Sequence, residues 1–568
     1  MKKTIAFLLC LTLCLGLLAG CGNTAASSAE PASAASAAES VGTESGDAQA
    51  AAVASEAEPT EGTISYPLSN DGTAELDYWL PFYSFIWSGY FDTFNDAPIT
   101  PVLEEKTGVH INFREVSGES VNETFNLMLA SDDLPDMFAL TDSLSMQSLY
   151  VGGAVRAAHE GIILDLTDLL EKNAPDYYNL INTMDDYTKR FLFTEDNRVL
   201  QIYQLNDKYV PEGGLGIRTD WMQELGYDSI NTIDELTGFL KDAQAKYNPM
   251  YTLWLDTDAI ADNIVGAFGT VGYQLDGSDI LWQQANDVLE AGFATEGYRA
   301  YVEWLIDLYD SDIINQDFYN NSESREQSTV MADGDIAVIP NIAADGIDNV
   351  MKEFTDPNAA VDGYAPITGN DYTFKELSAA LGRNTMVIST ACDTPELALQ
   401  YLNYGFTPEG SVVCNYGEEG VTFEYDDNGD PQYTEYITNN PDHAPMAIRN
   451  TINDVITPFL YFREAMFFTY SDRALAAMGD DVWGQGSSES VVPSSNNLSF
   501  TSDESVEYSA LVSDLTTYAG EQIGKWIIGG EELNDDSWNA YLDKLEAMGL
   551  SKATEIAQSG YNTFWGLS

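Results

Sequence analysis

"PITPVLEEKTGVHINFREVSGESVNETFNLMLASDDLPDMFAL", residues 98–140, reads as helix, strand, helix, strand. The first helix stops at Gly108, and "VHINFREV" follows as a strand. "ETFNLMLASDDLPDMFAL" then repeats the pattern: a helix, a turn carrying Pro135, and an apolar strand. Upstream, "AELDYWLPFY" (74–83) reads as an opening strand, with Tyr83, Phe85, Trp87, Tyr90 and Phe91 clustered at and beyond its end. Helices alternating with strands at this spacing predict βαβ units and a mostly parallel sheet.

Later segments carry their own boundary signals. In "NTIDELTGFLKDAQAKYNP", Thr232 and Glu235 have capping-box spacing, Leu236, Phe239 and Leu240 face a core, and Pro249 closes the segment. In "CDTPELALQYLNYGF", Asp393 and Glu396 flank Pro395, Leu397, Tyr401 and Leu402 line one side, and Gly405 supplies the stop. Two alternating runs around Asn428-Gly429 predict a hairpin.

The N-terminus fixes the compartment. Lys2 and Lys3 precede an apolar run from Ile5 to Leu18, and Leu18-Ala19-Gly20-Cys21 sets small residues before a cysteine. This is the pattern of a cleavable export signal, and its order resembles the lipobox of bacterial lipoproteins. In that reading residues 1–20 leave, Cys21 becomes a lipidated N-terminus, and the chain sits at the outer face of the cytoplasmic membrane. The alternatives are an ordinary secretory signal with an incidental cysteine, or an uncleaved helix. The run is short of the about 20 residues a spanning helix needs. Residues 22–62 contain seven acids, no Lys or Arg and almost no large apolar side chain. Such a segment cannot offset its ordering entropy by burial and is expected to be a flexible tether.

The remaining chain, about 500 residues, is too long for one core and typical of two lobes. The full sequence has a globular composition, 44% hydrophobic and 12% aromatic, with a net charge of −67. No basic stripe is visible for neutralising phosphates, which argues against nucleic acid. Cys392 and Cys414 remain after the signal and the lipidated cysteine, either as a disulfide or as two buried thiols. His110, His159 and His443 are far apart, and neither H-E-x-x-H nor G-x-S-x-G occurs. "GEQIGKWI" (520–527) lacks the spacing and the Ser/Thr of a phosphate loop. With 91 acids, paired carboxylates arise by number alone and cannot argue for glycoside hydrolysis. No catalytic residue, cofactor or metal is expected.

Several stretches, in order, resemble the family 1 extracellular solute-binding lipoproteins, the sugar-type binders that feed ABC importers. They are "LPDMF", "GIRTDWMQELGYDSINTIDELTGFLKDA", "YVEWLIDLYDSDIINQDF", "MADGDIAVI", "YLNYGFTPEGSVVCNYGEEGVTFEYDDNGDP" and "SWNAYLDKLEAMGLSKATEIAQSGYNTF", spanning nearly all of 74–566. The resemblance implies a periplasmic-binding-protein-like fold: two α/β lobes, each discontinuous in sequence, joined by hinge strands. By analogy the crossings lie near 204–214, 361–371 and 413–422. Lobe 1 is then 64–207 with 368–412, and lobe 2 is 208–367 with 413–568. Some relatives carry an Asp/Asn-rich calcium loop after the "T-x-D-E-L" helix. Here "KDAQAKYNPMYTLWLD" lacks the alternating oxygen ligands, so no calcium is expected there.

The resemblance implies a monomeric receptor that holds an oligosaccharide or related glycan in its cleft and presents it to permease subunits. A peptide or other small solute is the alternative ligand class; a surface glycan hydrolase and a sensor or adhesin are the alternative functions. Sugar binding needs aromatic faces for the ring and amide or carboxylate groups for its hydroxyls. In α/β sheets such groups gather at the carboxyl ends of strands. Tyr83 and Trp87 follow the first strand, and Asp142 follows "LPDMFAL". Tyr203 lies near the first crossing, Trp254 and Asp256 end "YTLWLD", and Asn341 follows "DIAVIP". Tyr364 lies at the second crossing, and Tyr416 and Glu419 belong to the Tyr-Gly-x-Glu-Gly turn. For any one aromatic, core packing competes with ligand contact. Arg218 in "GIRTDW" can hold a ligand carboxylate or pair with a nearby acid, and the pairing is preferred; Asp220 and Trp221 read as helix cap and core.

Overall fold

The strand opening at Glu75 is apolar on both faces. Leu76, Tyr78 and Leu80 point to one buried face and Trp79 to the other, so this strand is covered on both sides. The computed structural model describes residues 63–567, except 84–86, 88, 142–143, 195, 209, 212, 256–261, 272–279, 286, 315, 317–329, 331–335, 355, 368–380, 442, 444, 454–457, 479–481, 485–497 and 499. The described residues fall within one compact unit, Ala54–Ser568. The proposed signal, Cys21 and the tether lie outside the described residues.

Among the described residues the strands are, in chain order, β1 (Glu75–Phe82), β2 (His110–Ser117), β3 (Met137–Leu140), β4 (Ile202–Asn206), β5 (Gly213–Arg218), β6 (Tyr251–Leu253), β7 (Trp282–Ala285), β8 (Val288–Ala291), β9 (Ile336–Ala343), β10 (Val361–Tyr364), β11 (Leu381–Ile388), β12 (Phe423–Tyr425), β13 (Pro431–Tyr433) and β14 (Leu460–Tyr461). A six-stranded sheet runs β14-β4-β11-β3-β1-β2, and a four-stranded sheet runs β10-β5-β9-β6. β1 lies parallel to both β2 and β3, as the βαβ reading of 74–140 requires. The helix Ile99–Thr107 between β1 and β2 ends at Gly108, whose φ is 70°. A Cβ there would lie 2.2 Å from the carbonyl oxygen of Ser69. Only glycine meets both demands.

The sheets are mixed rather than mostly parallel. β11 lies antiparallel to both β3 and β4, and β5 lies antiparallel to β9 and β10. The cause is connectivity: β5, β9 and β10 form their own sheet, and the chain returns from that sheet to lay down β11. It passes from the first sheet to the second between Asn206 and Gly213, and back between Tyr364 and Leu381.

The third crossing, expected at 413–422, lies later. Residues 408–416 form a helix whose Asn415 side chain donates to the Leu460 carbonyl. β14 then pairs with β4 at the edge of the first sheet. The chain reaches the second sheet only after Tyr461, where the helix Asp472–Ala477 packs on β10. The segment 413–461 therefore belongs with the first sheet. Its turn signals around 417–429 mark the β12-β13 hairpin on that body, where Gly429 has φ 89°.

Helices then cover the second sheet. The expected capping box at Thr232 and Glu235 starts the helix Ile233–Tyr247, with Leu236, Phe239 and Leu240 buried. Long C-terminal helices, Ser502–Ile527, Asp535–Met548 and Leu550–Trp565, pack their apolar stripes into the same core. Cys392 and Cys414 are both buried free thiols, which decides between the two alternatives.

Candidate functional site

The carboxyl ends of β1, β3 and β4 and the segments linking the two sheets define one region, where an α/β sheet places its ligand. Salt bridges and packing fix these links. The Arg463 amide donates to Asp207 Oδ1 at 3.0 Å, and its guanidinium donates to the Val210 carbonyl at 2.8 Å. The third crossing is thus clipped to the first. Arg473 Nη1 meets Asp362 Oδ1 at 2.8 Å, which ties the helix after the third crossing to β10. Trp483 lies over Gly214 and Gly363, and its indole N–H donates to the Leu215 carbonyl at 3.1 Å.

The expected site residues are scattered. Tyr83 is half-buried at the end of β1, its ring seated on Gly118, where a Cβ would come within 2.2 Å of it. Trp87 is 4% exposed and stacks on Phe91 with centroids 5.4 Å apart. Trp254 is 1% exposed and meets Tyr251 edge-on at 5.2 Å. Tyr416 is buried against Phe423 and Tyr433, and that burial pushes its phenol up. These three rings are covered by the packing around them, so in this geometry they are core side chains and offer no free face.

Tyr203, on β4, is half-buried; its hydroxyl accepts from Gln201 Nε2 at 2.7 Å, and burial raises the phenol to about 12. Tyr364 ends β10 and accepts the Ile230 amide at 2.9 Å, so its hydroxyl serves the second body's own packing. Asn341 is exposed on β9 beside Gly213. Glu419 is exposed beside the β12-β13 hairpin, in the electrostatic neighbourhood of Lys106 and Tyr425. This surface belongs to the first body, not to the links. Asp142 and Asp256 lie outside the described residues. Arg218 forms a bidentate pair with Asp220 and lies over the rings of Trp221 and Phe354, 4.4 and 4.8 Å from their centroids. The preferred pairing is therefore formed, and Arg218 is committed.

Sequence reasoning did not single out the polar side chains on the central strands. Gln204 Oε1 accepts from Asn384 Nδ2 at 3.0 Å, and Asn206 Nδ2 donates to the Leu381 carbonyl at 2.8 Å. Gly382 is bare because the Gln204 amide occupies its side-chain space, 2.5 Å from where a Cβ would stand. The signal was present in "LQIYQLND", an alternation whose polar positions persist as the strand approaches the crossing.

His110 pairs with Glu104 at the surface, and His443 lies against the Tyr90 ring. Among the described residues, no group of three or more His, Cys, Asp or Glu side chains is placed to hold a metal ion.

A family model described as bacterial extracellular solute-binding protein matches residues 87–412. The chain is similar to Lipoprotein LipO of Bacillus subtilis, 24% identical over 58% of this chain and 65% of the relative. It is also similar to the polygalacturonan/rhamnogalacturonan-binding protein YtcQ of the same organism, 25% identical over 40% of this chain and 43% of the relative. The matched regions span less than two thirds of either relative. Among solved structures, the alginate-binding protein AlgQ2 without calcium superposes with a TM-score of 0.68 at 19% identity, covering 87% of this chain and 99% of that one. The Streptococcus pneumoniae substrate-binding protein FusA, in complex with kestose, gives 0.68 at 19% identity, with 87% and 100% covered. These superpositions establish the two-lobed fold.

Proposed function

From the chain's membership in the bacterial extracellular solute-binding protein family, we propose that it captures a glycan between its lobes and delivers it to an ABC importer. Cys21 would hold it, as a monomer, at the outer face of the cytoplasmic membrane, with residues 22–62 as the tether. The observation that carries the reading is the pair of sheets between which the chain passes repeatedly through linking segments, an architecture suited to hinge closure around a solute. The names of YtcQ and AlgQ2 and the kestose bound to FusA support a carbohydrate as cargo. The LipO name supports the lipid anchor. The reading assigns no catalytic residue, so the glycan leaves unchanged.

The test is thermal unfolding of the full-length protein at fixed salt with maltotriose, kestose, lacto-N-tetraose and trigalacturonate. A ligand at 100 times its Kd adds about 2.7 kcal/mol. At about 2.1 cal/mol/K per residue over about 500 residues, that raises Tm by about 2–3 °C. A saturable shift with the sugar recovered intact supports a receptor. No shift with any of them sinks the glycan assignment, and cleavage products would make the protein an enzyme. The anchor has its own readout: mass spectrometry of the mature N-terminal peptide should find Cys21 diacylglyceryl-modified, and an unmodified Cys21 rejects it.

A further inference from the structure

The central strands change character at one level of the first sheet. Met386 on β11 stands opposite Ala139 on β3 and opposite Ile202 on β4, and all three are buried and apolar. The next level, Thr385 with Leu140 and Tyr203, points to the other face. One level further towards the crossings the β11–β4 register shifts; there the Asn384 side chain meets Gln204, and Thr141 follows Leu140 at the end of β3. The apolar row Ala139–Met386–Ile202 is thus succeeded by a row of neutral hydroxyl and amide groups, and the Gln204–Asn384 hydrogen bond at 3.0 Å ties it across the strands. Asn206 extends it along β4 to the point where the chain leaves the sheet.

Burial makes this row unusual. Thr141 is 8% exposed, and Gln204 and Asn206 are 6% exposed each. Thr141 Oγ1 and Asn206 Oδ1 have no hydrogen-bond partner among the described residues. A buried polar atom without a partner destabilises the fold, so two on one row at the carboxyl ends of β3 and β4 point to a partner supplied from outside the chain. We infer that Thr141, Gln204, Asn206 and Asn384 form the floor of a subsite that reads the hydroxyl groups of a neutral, polyol-rich ligand. None of the four carries a charge. Amides and a hydroxyl supply donors and acceptors together, which matches vicinal hydroxyls and not a carboxylate, whose recognition favours cationic donors. The net charge of −67 acts in the same direction, since its field repels an anionic oligosaccharide. The inference rests on the glycan-receptor reading and narrows it to uncharged cargo.

The test is calorimetric titration of full-length wild type, Thr141→Val and Asn384→Ser with maltotriose, kestose, lacto-N-tetraose and trigalacturonate. Thr141→Val keeps the side chain's shape and removes an atom with no partner, so the ligand-free protein should melt at the same temperature or higher. A hydroxyl with a merely structural role would lower it instead. For a neutral oligosaccharide that wild type binds, each variant should raise Kd at least tenfold, equivalent to about 1.4 kcal/mol. Should Thr141→Val fail to fold, Asn384→Ser carries the same comparison. Kd values within twofold of wild type overturn the floor while leaving the receptor intact. Binding of trigalacturonate alone overturns the neutral specificity. Binding of none of the four removes the glycan reading and the floor with it.

Discussion

Replacing Gly214 with alanine tests how the linking segments are held. The new Cβ would lie 2.4 Å from Trp483 Cδ1, 2.6 Å from Cγ and 2.7 Å from Nε1. The indole cannot retreat freely. Its N–H is bound to the Leu215 carbonyl at 3.1 Å, its far edge lies against Gly363, and it is 6% exposed. Overpacking of this kind costs about 1–3 kcal/mol, and displacing the ring adds about 1 kcal/mol for the lost hydrogen bond. The expected loss is about 2–4 kcal/mol, a fall in Tm of about 2–4 °C for a chain of this size. The control is Trp483→Ala. With the ring gone, Gly214→Ala meets none of its three nearest atoms, and the backbone of Gly214 is not in the left-handed region. There the substitution should stabilise by about 0.4–1 kcal/mol through the unfolded chain. The assay is urea unfolding of the four proteins of this cycle. An equal effect of Gly214→Ala in both backgrounds, or a loss below about 0.5 kcal/mol in wild type, would refute the seat.

Two further outcomes follow from buried groups. Asp220→Ala removes the bidentate partner of the Arg218 guanidinium, whose side chain is 5% exposed, and should cost about 3–5 kcal/mol in urea unfolding; a loss under about 1 kcal/mol would show that the remaining contacts of Arg218 suffice. Burial pushes the Cys392 and Cys414 thiols up to about 12, from an ordinary value of 9.0. At pH 8 both should resist alkylation in the native protein and react after urea unfolding, read by peptide mass. The sign of the linkage follows: the folded state disfavours the thiolate, so this stability is complete below about pH 9 and is lost as pH rises towards about 12. Native labelling of either thiol at pH 8, or stability flat between pH 9 and 11, would contradict it.

Local rules made much of the fold legible. The run 74–140 declared its elements through a glycine stop, a proline turn and apolar strands, because helix ends and strand alternation are decided within a few residues. Long-range pairing was not legible. Two-residue β14 has no strand signature, and its place beside β4 depends on a segment more than 250 residues away. Without that pairing, the turn at 417–420 looked like a departure to the second lobe. The aromatic candidates differ again: Trp87, Trp254 and Tyr416 follow strands or end a helix and are buried, since a large ring near a strand end serves the core as readily as a ligand. Gln204 and Asn206 left a trace in the polar positions of "LQIYQLND", but Asn384, a single polar residue on β11, carries no signal until the strand beside it is known.

The third crossing also explains why its position matters. A crossing at 413–422 would have left Arg463, Arg473 and Trp483 deep inside one lobe. Placed after Tyr461, they lie where the chain changes sheets, and each grips a different neighbour. Arg463 holds the first crossing through Asp207 and Val210, Arg473 holds β10 through Asp362, and Trp483 rests on β5 and β10 at once. Arg463 therefore clips the third crossing to the first, while Arg473 and Trp483 fasten the returning chain to the second sheet. A rotation of the lobes would fall on the linking segments themselves, and rotation about fixed strand ends is the motion that opens and closes a cleft. The polar row ends at Asn206, directly before Asp207, the residue that Arg463 holds. A ligand seated on the row would therefore lie beside the clipped crossing, on side chains that belong to the first sheet alone.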